Sequence, residues 1–84
     1  MSISKDTALS ILSAHEKIER CDDYLSLVEQ GGWTTCINLY NKDKNGAIEI
    51  NNDIAIEALN HALVAARAEL DTACQKAIEE LTPF

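Results

Sequence analysis

Ile11, Ile18 and Leu25 stand seven residues apart, and Ala14, Cys21 and Val28 repeat that interval three places further on. Two interleaved sets of this kind make a single apolar seam on an α-helix, where side chains return to one face at spacings of three and four. The seam constrains the chain more than any other feature, because a helix carrying it must find a partner surface. Glu16, Glu19, Arg20 and Asp23 fall off the seam. Leu9, Leu12 and Leu27 also lie off it, which predicts a second buried face. Gly31-Gly32 ends the pattern, since glycine adopts the left-handed conformation past a helix end at little cost. The first helix is therefore expected over residues 4–30.

A second seam of Ile56, Leu59, Leu63, Ala66, Leu70, Ala73 and Ala77 predicts a helix over residues 52–81. Asn51-Asn52-Asp53 supplies N-capping side chains, and Pro83 follows the last helical position. An alanine stripe, Ala55, Ala58, Ala62 and Ala65, adds intrinsic helix propensity. Packed antiparallel, the two helices cover one face each and leave outer apolar residues wet. Self-association is the usual remedy. A homodimer or larger homo-oligomer is expected, with Ile11, Ile18, Leu25, Ile56, Leu63 and Leu70 as its seam.

Between the helices lies a segment of β character, residues 34–50. Thr34 to Tyr40 is rich in residues that suit strands, and Ala47-Ile48-Glu49-Ile50 alternates. Asn45-Gly46 is a strong turn signal. A loop over residues 43–46 would set Leu39 opposite Ile50 and place Ile37, Leu39, Ile48 and Ile50 on one face, ready to pack on the helices. A longer loop would put Tyr40 opposite Ile48. The fold class is then α+β, mainly helical: two long antiparallel helices joined by a β-hairpin, in one domain of 84 residues.

The stretch NKDKNGAIEINN, Asn41 to Asn52, also resembles an EF-hand calcium loop. The resemblance implies Asn41, Asp43, Asn45 and Glu49 as metal ligands, with Gly46 at the sharp turn. It departs from the family at both ends, with Asn41 in the first position and Asn52 where a bidentate Glu belongs. Gly31-Gly32 also leaves little room for an entering helix, and no second loop is present. The hairpin is the preferred reading, and a weak calcium module is kept as an alternative.

The net charge of −7 argues against non-specific nucleic-acid binding, which needs Lys and Arg to displace counterions. No apolar run is long enough to span a membrane, and the N-terminus lacks the features of a signal peptide. Cys21, Cys36 and Cys74, odd in number and widely spaced, read as reduced thiols. These features predict a cytoplasmic protein. Antiparallel helices would set His15 and His61 at different heights. With no phosphate loop, nucleophile elbow or metalloprotease motif, neither catalysis nor a cofactor is expected.

Four residues carry the contact hypothesis. Lys42 and Lys44 concentrate positive charge at the hairpin tip of an acidic chain, with Trp33 and Tyr40 framing the same segment. Such a set suits a phosphate or an acidic protein surface, and an aromatic pair beside two lysines suits a nucleotide. The short acidic chain, its alanine-rich closing helix AIEALNHALVAARAEL and the missing catalytic motif are similar in make-up to the accessory proteins of phages and prophages. That resemblance implies a surface-binding inhibitor of a host or defence protein, acting in the host cytoplasm. A sponge that sequesters a small signalling nucleotide is the alternative.

Overall fold

The computed structural model describes residues 2–82, and the backbone alone of Tyr40; Pro83 lies outside the described residues. Four elements follow one another: α1 (Lys5–Gln30), β1 (Thr35–Tyr40), β2 (Asn45–Ile50) and α2 (Asn52–Leu81). Both helices start on a side-chain cap. The Ser4 hydroxyl accepts from the Thr7 N–H at 3.2 Å, and Asn51 Oδ1 accepts from the Ile54 N–H at 2.9 Å. α1 stops at Gly31, whose N–H donates to the Val28 carbonyl at 3.2 Å and whose φ of 83° lies in the left-handed region.

The helices pack antiparallel along the seams the spacing predicts. Thr7, Ala14, Cys21 and Val28 are buried on α1, facing Ala55, Leu63, Ala66, Ala73 and Ala77 on α2. Most of these side chains are small, so the helices approach closely but bury little apolar area each. Val28 and Leu63 are the only branched aliphatic side chains buried among the described residues. Ile11, Ile18, Leu25, Ile56 and Leu70 are half-buried along the same contact. Leu63 was expected in a seam between subunits and instead lies between the chain's own helices, because antiparallel pairing turns it inward. Leu9 and Leu12 do not form a second buried face within the chain; both are exposed, while Leu27 is half-buried.

Polar contacts set the helix register. Lys17 Nζ lies 2.9 Å from Glu69 Oε2. At the open end Thr7 Oγ1 donates to Glu80 Oε2 at 2.5 Å, Ser4 Oγ donates to Thr7 Oγ1 at 2.9 Å, and the Ser4 N–H donates to Glu80 Oε1 at 3.2 Å. The Thr7 hydroxyl, then Ser4, hold the Glu80 carboxyl below its ordinary value. A carboxylate lowered in the folded chain adds stability above its unfolded pKa of about 4.3 and loses it as pH falls through the folded value. Thr7→Val keeps the buried volume and removes the donor. It should lower the melting temperature at neutral pH and flatten its decline below about pH 4.3, read by circular dichroism across a pH series.

β1 and β2 form a two-stranded antiparallel ladder in the register Thr35↔Ile50, Ile37↔Ile48, Leu39↔Gly46, Tyr40↔Asn45. The turn therefore lies at Asn41–Lys44, not at Asn45-Gly46, and Leu39 does not face Ile50. The cause is the cap at Asn51, which ends β2 at Ile50. With the turn at residues 43–46 only four pairs, residues 39–42 with 47–50, could form before α2 begins, whereas the observed register makes six. Asn41 also closes the loop itself. Its Oδ1 accepts from the N–H groups of Asp43 and Lys44 at 2.8 and 2.9 Å, and its own N–H donates to the Lys44 carbonyl at 2.8 Å. No residue at the turn needs a positive φ.

The molecule is extended. Its radius of gyration is 17.0 Å, where a compact chain of this length would have about 12 Å. It measures 51 × 35 × 15 Å. Ile37, Leu39 and Ile48 are exposed, so the apolar face of the hairpin is not packed on either helix. α2 is about 45 Å long and the hairpin about 20 Å. A longest extent of 51 Å therefore requires the hairpin to lean away from the helix axis. Among the described residues no helix is long and apolar enough to cross a membrane.

Candidate functional site

The hairpin has two unlike faces. Thr35, Ile37, Leu39, Gly46, Ile48 and Ile50 share one, and Cys36, Asn38, Ala47 and Glu49 lie on the other. The apolar set is the one expected on a single face, and it survives the change of register because the pairing moved by an even number of residues. Its surroundings differ from expectation. Ile50 is half-buried against the helices, but Ile37, Leu39 and Ile48 are exposed, Leu39 at 72% and Ile48 at 62%. The hairpin leans off the helices, so its apolar face meets none of them beyond its base.

At that base an open groove of about 420 Å³ runs between the hairpin and the helix ends. Tyr24 and Leu27 from α1, Leu59 from α2, Trp33, and Ile37 and Ile50 line it. Ile37 also lines the shallow hollow over Leu39, Gly46 and Ile48. One apolar strip thus runs without interruption from Tyr24 and Trp33 at the base to Leu39 and Ile48 near the tip. Spacing arguments found its hairpin half. They missed Tyr24, which lies outside the seam residues of α1 and becomes part of the strip only where the hairpin turns back.

The structure separates the residues expected to act together. Lys42 and Lys44 sit exposed at the tip, while Trp33 sits at the base. Seven residue steps of extended chain, about 23 Å at ~3.3 Å each, separate Trp33 from Tyr40. Within one chain Trp33 and the two lysines cannot clamp one nucleotide. The Tyr40 side chain lies outside the described residues.

An EF-hand loop is not formed. Asn41 spends its side-chain oxygen on two backbone N–H groups, Asn45 and Glu49 are extended in β2, and a strand stands where the entering helix would be. Among the described residues no three His, Cys, Asp or Glu side chains stand close enough to hold a metal ion. His15 is exposed, with Nε2 3.1 Å from Glu19 Oε1. Glu69 lies level with Lys17, and His61 is eight residues away from it along α2, about 12 Å along the axis. The two imidazoles therefore do not converge. Cys21 is buried in the seam, and Cys36 and Cys74 are exposed.

Charge is divided as sharply as polarity. The segment from Gly31 to Asn51 carries Lys42, Asp43, Lys44 and Glu49, which sum to zero. The whole −7 falls on the helices, −3 on α1 and −4 on α2. Glu16, Glu19, Asp22, Asp23 and Glu29 on α1 are all exposed. No family model, curated protein or solved structure matches this chain.

Proposed function

We propose that this protein is a small non-catalytic binding factor that acts by covering a basic surface of another protein. The likeness in make-up to phage and prophage accessory proteins supports an inhibitor or modulator of a host or defence component. The observation that carries the reading is the division of charge: seven net negative charges lie on an exposed helical pair and none on the hairpin. A field of one sign over one part of a molecule steers association with a partner of opposite sign and penalises others. Lys42 and Lys44, about 20 Å out along the hairpin, add a small contact of the other sign that fixes orientation on the partner.

The test is affinity capture from cells of the source organism, followed by reconstitution with the purified partner. A stoichiometric partner with a basic face is expected. Its affinity should fall as salt shortens the screening length, and fall again with Glu16→Lys and Asp23→Lys together. Recovery of the bait alone, or a partner whose binding ignores both salt and these substitutions, would end the reading.

A further inference from the structure

We infer that the apolar strip is an interface between two copies of this chain, hairpin face on hairpin face about a two-fold axis near Ile37. Three independent observations favour a second copy over any other occupant. The first is area. The chain exposes 6655 Å², whereas a compact protein of its mass would expose about 4,900 Å². The excess of about 1,700 Å², spread over the whole extended chain, exceeds the roughly 800 Å² that each partner buries in a standard dimer.

The second observation is charge. Two copies meeting through their helices would bring −3 or −4 against the same sign, while the hairpin sums to zero. The apolar face carries one charge, Lys44 at its tip end beside Leu39 and Ile48, while Glu49 lies on the opposite face. The hairpin is the one region where identical acidic chains can approach without repulsion.

The third is the hairpin's own need. An isolated two-stranded sheet is marginal in water and needs further strands or a packed face to persist. Its helices cover only the base, leaving Ile37, Leu39 and Ile48 exposed. A second hairpin at the usual separation of about 10 Å covers the whole strip at once. In an isologous pairing each chain's Leu39 end then meets the partner's Trp33 end, so the groove at the base is filled as well. This inference does not depend on the basic partner proposed above, because it uses the surface that reading leaves free.

Trp33 is the only tryptophan, so its emission reports on the strip alone. Light scattering of the unsubstituted protein at high micromolar concentration should give twice 9.2 kDa. Dilution should lower the mass and shift Trp33 emission to longer wavelength along one curve. Leu39→Lys with Ile48→Lys should give 9.2 kDa, red-shifted Trp33 and unchanged helical circular dichroism. Leu9→Lys with Leu12→Lys, on the exposed outer face of α1, should keep the doubled mass. A mass of 9.2 kDa for the unsubstituted protein, or any assembly that survives the strip substitutions, overturns the inference. So does a dimer broken by the α1 pair instead. The dilution arm needs no variant, so dissociation without a change in Trp33 emission also overturns it.

Discussion

Leu63→Ala lowers stability more than any other single truncation on the helix seam, by about 2–5 kcal/mol. The magnitude follows from what surrounds the residue. Leu63 is 7% exposed, and five of the other buried seam residues, Ala14, Ala55, Ala66, Ala73 and Ala77, are alanines. Alanine has no rotamers with which to move into the space left behind, so the cavity persists and its cost adds to the lost transfer energy. A chain of 84 residues holds in total about 4–13 kcal/mol. The substitution therefore removes a large share, and the midpoint in a urea titration should fall steeply at fixed protein concentration. Concentration must be held fixed because self-association raises apparent stability by mass action. Ala73→Gly, at another buried seam position of α2, should cost only about 1 kcal/mol through helix propensity. Equal losses for the two variants would mean that Leu63 does not anchor the seam.

The residues that made the helices legible are those whose spacing alone decides their environment. Ile11 to Val28 and Ile56 to Ala77 repeat at three and four, Asn51-Asn52-Asp53 offers caps, and Gly31-Gly32 ends the first run. Each of these signals is local, and the boundaries fell where they pointed. The hairpin was legible in kind and in facing but not in register. Asn45-Gly46 is a strong turn signal taken alone. It lost to a longer-range condition, the cap at Asn51 that fixes where β2 ends, together with the Asn41 side chain that closes the loop. Facing survived because side-chain alternation has a period of two. What no local pattern could supply is the direction in which the hairpin leaves the helices. That direction decides whether Ile37, Leu39 and Ile48 are core or surface. It also carries Lys42 and Lys44 far from Trp33, so the expected cluster of aromatic and basic side chains is not assembled in one chain.

Gly31 and Gly32, both at positive φ, set that direction, and Gly31→Val should cost about 1–3 kcal/mol. Its φ of 83° and ψ of 174° place it in a region essentially confined to glycine, and a β-branched side chain there is an outlier. Nothing lies within 4 Å of a Cβ added at Gly31 or at Gly46. The two positions therefore separate backbone strain from crowding. Gly46 has no positive φ, and Gly46→Ala should stay within about 0.5 kcal/mol of the unsubstituted chain. If both substitutions are silent, the backbone at Gly31 is not under that constraint. A valine at Gly31 relieves its strain by rotating φ to a negative value. That rotation swings the hairpin to a new angle while leaving the α1–α2 seam in place. Helical circular dichroism should then persist while the doubled mass and the protected Trp33 emission are lost together. One residue between a helix and a strand would in this way decide whether the apolar strip can meet its own copy.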